Sequence, residues 1–307
     1  MLGHRLCNGL IALGYDVLAG FRATPDPNLS YLSMPVFRHT ERMVTGLDAY
    51  DWNNLKTKIA GIRPDIVINC IGVIKQKREG QSSVPCIAIN ALLPHVLDDA
   101  VSGYGGLLFQ ISTDCVFKGD RGGYTEADAP DAEDWYGRTK AMGEVSSSNA
   151  LTIRTSIIGP EISGRTSLVE WFLTNAGGRI KGFGRAIYSG LTTREMVRVV
   201  DCVLAGNPSL RGVYQVASNP ISKYDLLVRL RNELGFTTEI ELDTDFELDR
   251  SMSAARFAEA TGYEVASWDE MISGLAADIR EYWRMEWKQM PPQTAFAQTS
   301  QQLGKMK

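Results

Sequence analysis

Apolar runs without polar alternation recur in the first half of the chain, at residues 65–71, 107–111 and 151–155. Stretches with helical spacing of apolar residues surround them, at residues 2–13, 51–59, 87–101 and from about residue 136. Unbroken apolar strands are typical of parallel sheets, which are buried on both faces by the helices that connect the strands. The pattern therefore predicts an α/β fold with a doubly wound parallel sheet.

The alternation of strands and helices loosens after residue 160, where glycines become frequent. This change predicts a second, smaller lobe over most of residues 161–290, after a first domain at residues 1–160. An apolar helix followed by a strand at residues 190–217 is expected to return to the first sheet. Residues 291–307 begin with Pro291-Pro292 and are rich in Gln, Thr and Ser, which predicts a flexible tail.

Charge and composition narrow the class of ligand. The net charge of −4, without a dense Lys/Arg run, argues against a nucleic-acid surface. No apolar run reaches the roughly 18 to 20 residues that cross a bilayer, so we expect no membrane partner. The five cysteines are scattered and the three histidines lack metal-site spacing. We therefore expect a cytoplasmic protein with reduced thiols, no metal and a small-molecule ligand.

One short motif carries candidate chemistry. Tyr136 and Lys140 are separated by four positions in a predicted helix, so both side chains lie on the same helix face. Tyrosine normally has a pKa of about 10, and a neighbouring ammonium favours the phenolate. Lys140 and an oxidised nicotinamide could together lower the Tyr136 pKa toward neutrality, where proton transfer is efficient. A Tyr-x-x-x-Lys pair alone is weak evidence, because such pairs also arise by chance.

The sequence around this pair strengthens the interpretation. The block contains Ser112-Thr113-Asp114-Cys115-Val116-Phe117, then Tyr136-Gly137-Arg138-Thr139-Lys140 and Gly143-Glu144. It resembles the extended short-chain dehydrogenase/reductases, and more narrowly the dTDP-4-dehydrorhamnose reductase branch. The resemblance implies a Rossmann-type fold and an NAD(P)-dependent oxidoreductase that reduces a 4-keto nucleotide sugar in surface polysaccharide or deoxysugar biosynthesis. It also implies that Tyr136 donates a proton to the ketone, that Lys140 holds the cofactor ribose, and that Ser112 and Thr113 orient the carbonyl.

The start of the chain departs from that family. There, a first strand runs into G-x-x-G-x-x-G, whose glycines let the backbone approach the cofactor pyrophosphate. Here Gly3 matches only the last glycine, and the first strand and glycine turn are lacking. Two explanations stay open. The first is a truncated start, which we favour because the later segments that contact the cofactor in that family are all present in this chain. The second is a loss of dinucleotide binding.

The resemblance also assigns cofactor residues. Arg22 follows the second family strand, where a guanidinium suits the 2′-phosphate of NADP and an acidic residue would suit NAD. NADP is therefore preferred, NAD stays possible, and a solvated surface arginine is the alternative. The loop Cys70, Ile71 and Gly72 is expected along the cofactor, and Thr155 beside the nicotinamide, together with Tyr136 and Lys140.

Substrate residues follow from the same comparison. Val116, Phe117, Thr192 and Arg250 lie in segments that resemble those near the sugar nucleotide, and Arg250 could bind a diphosphate. Cys115 stands where the related dehydratases carry a glutamate, which argues against dehydration. The reductases commonly carry tyrosine at that position, so Cys115 leaves open a substrate other than the usual one of that family.

Two other functions stay open. The first is a non-catalytic NADP-binding subunit that resembles the β-subunit of methionine adenosyltransferase, which shares the fold and the tyrosine-lysine pair. The second is a nucleotide-sugar epimerase of the same fold. The sequence does not determine which sugar and which nucleotide the substrate contains. It also leaves the oligomeric state open, and a homodimer is one option.

Overall fold

The computed structural model describes residues 1–25, 40–75, 78–162, 166–284 and 291–296. The helices in this part of the chain are α1 (Leu2–Ala12), α2 (Trp52–Ile62), α3 (Ser83–Ser102), α4 (Trp135–Met142), α5 (Leu168–Thr174), α6 (Thr193–Gly206), α7 (Lys223–Leu234), α8 (Ala255–Thr261) and α9 (Trp268–Arg284). The strands are β1 (Ala19–Gly20), β2 (Met43–Val44), β3 (Ile66–Asn69), β4 (Leu107–Ile111), β5 (Ala150–Arg154), β6 (Ile157–Ile158), β7 (Arg179–Tyr188), β8 (Leu191–Thr192), β9 (Gly212–Gln215), β10 (Ile221–Ser222) and β11 (Glu239–Asp249).

The main sheet is parallel, with strand order β3-β4-β5-β9. Its register aligns Phe109 with Leu151 and Ile153 with Tyr214. Phe109, Leu151 and Ile153 pack into a core shared with α1 and α6, whereas Leu108 and Ala150 pack with α2 and α3 on the other face. Burial of both faces confirms the predicted doubly wound α/β fold, and it explains why these strands lack polar alternation.

The two shortest strands on the amino-terminal side form a separate parallel pair, β1-β2. Ala19 aligns with Met43 and Gly20 with Val44. Among the described strands, β1 and β3 do not pair with each other, although both belong to the same α/β series. In the part of the chain described, β3 is therefore the edge strand of the main sheet, and β1 pairs with β2 alone.

The second half contains a sheet of its own, with strand order β10-β7-β11. The sequence pattern did not predict β7, because Gly182 and Gly184 interrupt its apolar residues. In the structure Gly182 leaves room for its neighbours, since an added Cβ would lie 2.9 Å from Ile240 and 2.9 Å from Tyr224. β9 pairs with β5 of the main sheet, so residues 212–215 return to the first sheet.

The predicted tail is packed at its beginning. Gln293–Ala295 form a short 3-10 turn, and Thr237 donates a backbone hydrogen bond of 2.8 Å to the Ala295 carbonyl. Phe296 contacts the rings of Phe236 and Trp283. Residues 291–296 thus have contacts with the second lobe, and the flexibility of residues 291–307 stays a prediction; residues 297–307 lie outside the described residues.

Helix α3 is long and apolar enough to cross a membrane by length and composition. Half of its most apolar window is buried within the protein, where Leu93, Leu97 and Val101 pack against Leu55 of α2. A core helix of a doubly wound sheet has the same apolar composition.

Candidate active site

Helix α4 carries the Tyr136/Lys140 pair and begins at a capped end. The Asp134 carboxylate accepts a hydrogen bond of 2.8 Å from the Gly137 amide, and its second oxygen accepts one of 2.6 Å from Lys75. An aspartate in this position satisfies an amide that has no partner inside the helix. Lys75 belongs to the loop that follows β3, so this contact ties that loop to the start of α4.

Two glycines bring α4 close to its neighbours. A Cβ on Gly137 would lie 2.2 Å from the Cys115 carbonyl oxygen, and one on Gly143 would lie 1.9 Å from the carbonyl oxygen of Asn90. Real Cβ atoms do not approach that closely. The glycine between Tyr136 and Lys140 therefore lets the helix contact the turn that follows β4.

Lys140 is buried, with 7% of its surface exposed. Its Nζ donates a hydrogen bond of 2.6 Å to the backbone carbonyl of Ile111, at the carboxyl end of β4. Burial lowers the pKa of Lys140 to about 8, while the Glu144 carboxylate and the Cys70 thiol act in the opposite direction. The ammonium form is thus less favoured than in an exposed lysine, and Lys140 titrates close to neutral pH.

Tyr136 is half-buried. Burial raises its pKa above the ordinary value, and the neighbouring Cys115, Asp114 and Asp134 raise it further, whereas a hydrogen bond with Thr113 lowers it. The sequence predicted a lowered pKa, and in the protein by itself this prediction is wrong in direction. The physical reason is first the burial of the phenol and then the acidic groups around it, while the Lys140 ammonium donates its hydrogen bond to the Ile111 carbonyl. The consequence is that Tyr136 is protonated at neutral pH.

The two hydroxyl residues after β4 have different partners. Thr113 donates to the Asp114 carboxylate at 3.0 Å and accepts from the Cys115 amide at 3.2 Å, and it lies close enough to the Tyr136 phenol to lower its pKa. Ser112 instead donates a hydrogen bond of 2.7 Å to Glu144. The structure therefore brings Thr113, and not Ser112, together with the Tyr136 phenol.

Two predicted substrate residues lie inside the protein. Val116 and Phe117 are fully buried and pack with Tyr124, which stacks on Phe117 at a ring distance of 4.2 Å. Their side chains form the base of the loop that follows β4, and contact of these residues with a substrate stays a prediction.

Thr192 and Arg250 also have structural partners. The Thr192 hydroxyl caps α6 by accepting a hydrogen bond of 3.2 Å from the Glu195 amide, and the residue is buried. Arg250 donates 2.8 Å and 3.2 Å hydrogen bonds to the carbonyls of Phe117 and Lys118, and its third nitrogen lies 3.7 Å from the Cys115 sulfur. Arg250 thus reaches the edge of the candidate site, whereas Thr192 serves as a helix cap.

The predicted cofactor residues meet at the carboxyl ends of the parallel strands. An added Cβ on Gly3 of α1 would lie 3.5 Å from the Cys70 Cβ, just after β3. Burial raises the pKa of Cys70, and the Met1 amino group and the Lys140 ammonium act in the opposite direction, so the start of α1 and the end of α4 both lie near this residue.

The other cofactor predictions fall on the same edge of the molecule. Ile71 is 43% exposed, Arg22 is exposed two residues after β1, and Thr155 is buried just after β5. Gly72 lies in the loop after β3, where an added Cβ would make an ordinary contact of 3.5 Å with Asn90. A helix N-terminus, a buried lysine and an open loop at one strand edge fit the phosphate, ribose and nicotinamide parts of a dinucleotide.

Some residues of the site were missed by the sequence predictions. Asn90 holds the loop after β3 through hydrogen bonds of 2.9 Å and 3.0 Å with the backbone of Val73. Glu144 and Arg154 form a buried ion pair beside Lys140. Glu144 was part of the Gly143-Glu144 signal, but its partner follows only from the tertiary structure.

Known proteins give an independent comparison. Residues 1–201 match the model of the family described as RmlD substrate binding domain. The chain is 25% identical over 187 residues to a dTDP-4-dehydrorhamnose reductase of Aggregatibacter actinomycetemcomitans, covering 57% of this chain and 63% of the relative. It is 32% identical over 99 residues to a dTDP-4-dehydrorhamnose reductase of Streptomyces griseus, covering 32% of this chain and 33% of the relative. The match thus spans less than two thirds of either relative.

Solved structures show the same fold. A dTDP-4-dehydrorhamnose reductase from Bacillus anthracis, in complex with NADP, has a TM-score of 0.69 and 20% identity, covering 77% of this chain and 90% of that one. The Bordetella bronchiseptica enzyme WbmG, in complex with NAD and UDP, has a TM-score of 0.75 and 15% identity, covering 95% and 96%. Since the family model matches residues 1–201 of the 307, well over half, the chain belongs to the RmlD substrate binding domain family.

Proposed function

We propose that this protein is an NAD(P)-dependent reductase of a 4-keto nucleotide sugar, similar to dTDP-4-dehydrorhamnose reductase. The observation that carries the proposal is the arrangement of three side chains at one strand edge. Tyr136 and Lys140 are one turn apart on α4, and Thr113, just after β4, lies close enough to the Tyr136 phenol to lower its pKa. A phenol and a neighbouring hydroxyl can both hydrogen bond to one ketone oxygen.

The protein's residues supply the proton and the orientation. NADPH, when bound, supplies the hydride to the ketone carbon. Thr113 and Tyr136 hold the ketone oxygen, and the Tyr136 phenol donates its proton as negative charge develops there. The raised pKa of Tyr136 keeps the phenol protonated at neutral pH, which is the form needed for reduction. Lys140 binds the nicotinamide ribose, and its charge assists the phenol once the proton has left.

The cofactor is proposed to be NADP, with NAD possible. Arg22 is exposed after β1, at the position where a guanidinium would contact a 2′-phosphate, and Gly3 and α1 would face the pyrophosphate. The relative from Bacillus anthracis was solved with NADP, and WbmG with NAD. Both cofactors are thus compatible with this fold.

The substrate is proposed to be a nucleotide-activated sugar, and Arg250 is the residue best placed to contact its polar part. Arg250 lies at the edge of the site and approaches Cys115, which is next to Tyr136. The setting of the reaction would be surface polysaccharide or deoxysugar biosynthesis in the cytoplasm, and a homodimer is compatible with it. A non-catalytic regulatory subunit is not favoured, because both curated relatives are named as reductases.

The decisive experiment is a cofactor-oxidation assay. Purified protein is mixed with NADPH, then with NADH, and with dTDP-4-dehydrorhamnose, and absorbance at the nicotinamide band is followed. A reductase oxidises the cofactor only when the keto sugar is present, and mass spectrometry finds the product two hydrogens heavier. Tight NADPH binding without turnover of this sugar or of other nucleotide 4-keto sugars would instead indicate a regulatory subunit.

A further inference from the structure

A segment at the end of β11 is hydrogen bonded to the loop that follows the turn after β4. The segment comprises residues 249–253, and the loop comprises residues 117–124. The Asp249 amide donates a hydrogen bond of 2.8 Å to the Gly119 carbonyl. Two parallel β-bridges join the segment and the loop: Asp120 with Asp249 and Tyr124 with Met252. The second lobe therefore supplies backbone partners to a loop of the first domain.

Ser251 lies at the centre of this contact. Its Oγ accepts a hydrogen bond of 2.9 Å from the Gly123 amide, and its carbonyl accepts one of 2.9 Å from the Tyr124 amide. Its own amide donates a hydrogen bond of 2.9 Å to the Asp249 carboxylate, and the residue is buried. A Cβ on Gly122 would lie 2.2 Å from the same carboxylate. The loop and the segment thus approach as closely as a glycine allows.

The segment is also fixed to the second sheet. The Met252 amide donates a hydrogen bond of 3.0 Å to the Ser189 hydroxyl, which is buried directly after β7. Arg250 adds hydrogen bonds from the segment to the carbonyls of Phe117 and Lys118. The loop is therefore held against a fixed part of the protein.

Tyr124 connects this contact to Thr113. Its fully buried ring stacks on Phe117 at 4.2 Å, and its hydroxyl accepts a hydrogen bond of 3.1 Å from the Gly119 amide. The Phe117 amide donates a hydrogen bond of 3.0 Å to the Asp114 carbonyl, which closes a 3-10 turn. Thr113 is the cap of that turn. An unbroken series of contacts therefore leads from the segment to Thr113.

We propose that Ser251 is a positioning residue of the active site, which fixes Thr113 beside the Tyr136 phenol. Ser251 acts through this series of contacts and not on the substrate itself. The inference rests on the proposed function, because Thr113 and Tyr136 hold the ketone oxygen in that reaction. Proton transfer depends on the exact placement of both hydroxyls, so a small displacement of the turn lowers kcat.

The test is amide hydrogen exchange measured by ¹⁵N NMR, which needs no turnover. Ser251→Ala removes the acceptor of the Gly123 amide and keeps the backbone contacts of the segment. Exchange should become roughly three- to tenfold faster at Gly123, the size of effect expected from the loss of one buried hydrogen bond. It should also become faster at the amides of Cys115 and Phe117, which donate to the Thr113 Oγ1 and to the Asp114 carbonyl. A local role of Ser251 would change Gly123 and Tyr124 alone.

Steady-state kinetics give the second measurement. In Ser251→Ala, kcat for the keto sugar should fall roughly tenfold, since a misplaced group lowers the rate of the chemical step. KM for NADPH should stay unchanged, because neither the loop nor the segment belongs to the proposed cofactor residues.

Ser222→Ala is the matched control. Ser222 is buried, and its hydroxyl accepts a hydrogen bond of 2.9 Å from the Asp225 amide at the start of α7. This variant should lower Tm about as much as Ser251→Ala, but it should leave kcat and the exchange at Cys115 and Phe117 unchanged. If Ser251→Ala does not fold, Tyr124→Phe removes the hydroxyl at the next contact of the series and should show the same changes.

The outcomes separate this inference from the proposed function. Unchanged exchange at Cys115 and Phe117 in Ser251→Ala, or in Tyr124→Phe, overturns the inference even if the protein is an active reductase. Faster exchange with unchanged kcat in an active reductase also overturns the positioning role. Faster exchange in a protein that does not reduce nucleotide 4-keto sugars overturns the proposed function and leaves the link between Ser251 and the turn intact.

Discussion

The two halves of the strand edge that form the candidate site are built differently. On the catalytic side, β4, β5 and β9 are paired in one sheet, and the buried contacts of Lys140, Glu144 and Arg154 lock α4 onto it. On the cofactor side, β1 has two residues and pairs only with β2 among the described strands, and Ile71 after β3 is 43% exposed. The proposed catalytic groups are therefore held by tertiary packing, whereas on the proposed cofactor side β1 and β3 each pair with one strand among the described strands.

This difference between the two sides indicates that the rigid part of the candidate site is the side around α4. A site that transfers a proton needs its donors fixed to within a fraction of an ångström, and close-packed elements provide this. A cofactor, in contrast, contributes contacts of its own and stabilises whatever part of the protein binds it. Substitutions made in each half separately test where this rigidity lies.

The largest expected effect is on the catalytic side. Tyr136→Phe removes the phenolic proton and little volume, so we expect kcat to fall roughly 100-fold or more while cofactor affinity is nearly unchanged. Steady-state kinetics and calorimetric titration with NADPH measure the two quantities. Tyr104→Phe is the matched control, because Tyr104 hydrogen bonds to the Pro64 carbonyl before β3, far from the site. Near-normal kcat in Tyr136→Phe would show that another group donates the proton.

On the cofactor side, the second prediction concerns a strand beside β3. A version of the protein extended ahead of Met1 by a β-strand and a glycine-rich turn should bind NADP at least about tenfold more tightly, since charge-assisted hydrogen bonds to phosphate each contribute about 1.5–3 kcal/mol. It should also melt at higher temperature, because the backbone edges of β1 and β3 would gain partners. An extension of equal length without strand or glycine pattern is the control. Equal affinity of all three proteins would show that the phosphate is held in another way.

A third prediction tests how closely α4 must approach the turn after β4. Gly137→Ala places a Cβ 2.2 Å from the Cys115 carbonyl, so it should destabilise the protein by about 1–3 kcal/mol and lower kcat as well. Gly61→Ala is the matched control, since Gly61 lies in α2 with nothing within 4 Å of the added Cβ. It should stabilise the protein by about 0.5–1 kcal/mol. Urea unfolding measures both, and a neutral Gly137→Ala would mean that α4 is not constrained there.

The placement of Tyr136 and Lys140 on one helix face was predictable, because it depends only on residues close together in the sequence. Four residues separate Tyr136 from Lys140, and helical periodicity alone places them on one face. The hydrogen bond between Ser112 and Glu144 joins residues 32 positions apart. It depends on how α4 packs against β4, and local sequence periodicity does not relate residues that are so far apart in the chain. The direction of the Tyr136 pKa shift was missed for the same reason, because burial and the Asp114 and Asp134 carboxylates are features of the folded protein.

The strands show a similar limit. Apolar runs predicted β3, β4 and β5 because these strands are buried on both faces. β11 alternates acidic and apolar residues along most of Glu239–Asp249, which is a local strand pattern. Its pairing with the glycine-containing β7, and the irregular register between Asp243 and Glu247, follow only from the tertiary structure.

The smallest expected effect concerns cofactor choice. Arg22 is exposed, so water and salt screen its attraction for a 2′-phosphate, and its contribution should be closer to a surface ion pair than to a buried one. Arg22→Ala should therefore raise KM for NADPH by roughly three- to tenfold and leave KM for NADH unchanged, which distinguishes a phosphate contact from general damage. Arg229→Ala is the matched control, because Arg229 is a surface arginine paired with Asp269 on the second lobe. The effect on NADPH should shrink at high ionic strength, as screening predicts. Equal changes in both KM values would place Arg22 outside the phosphate site, and the preference for NADP would then need another residue.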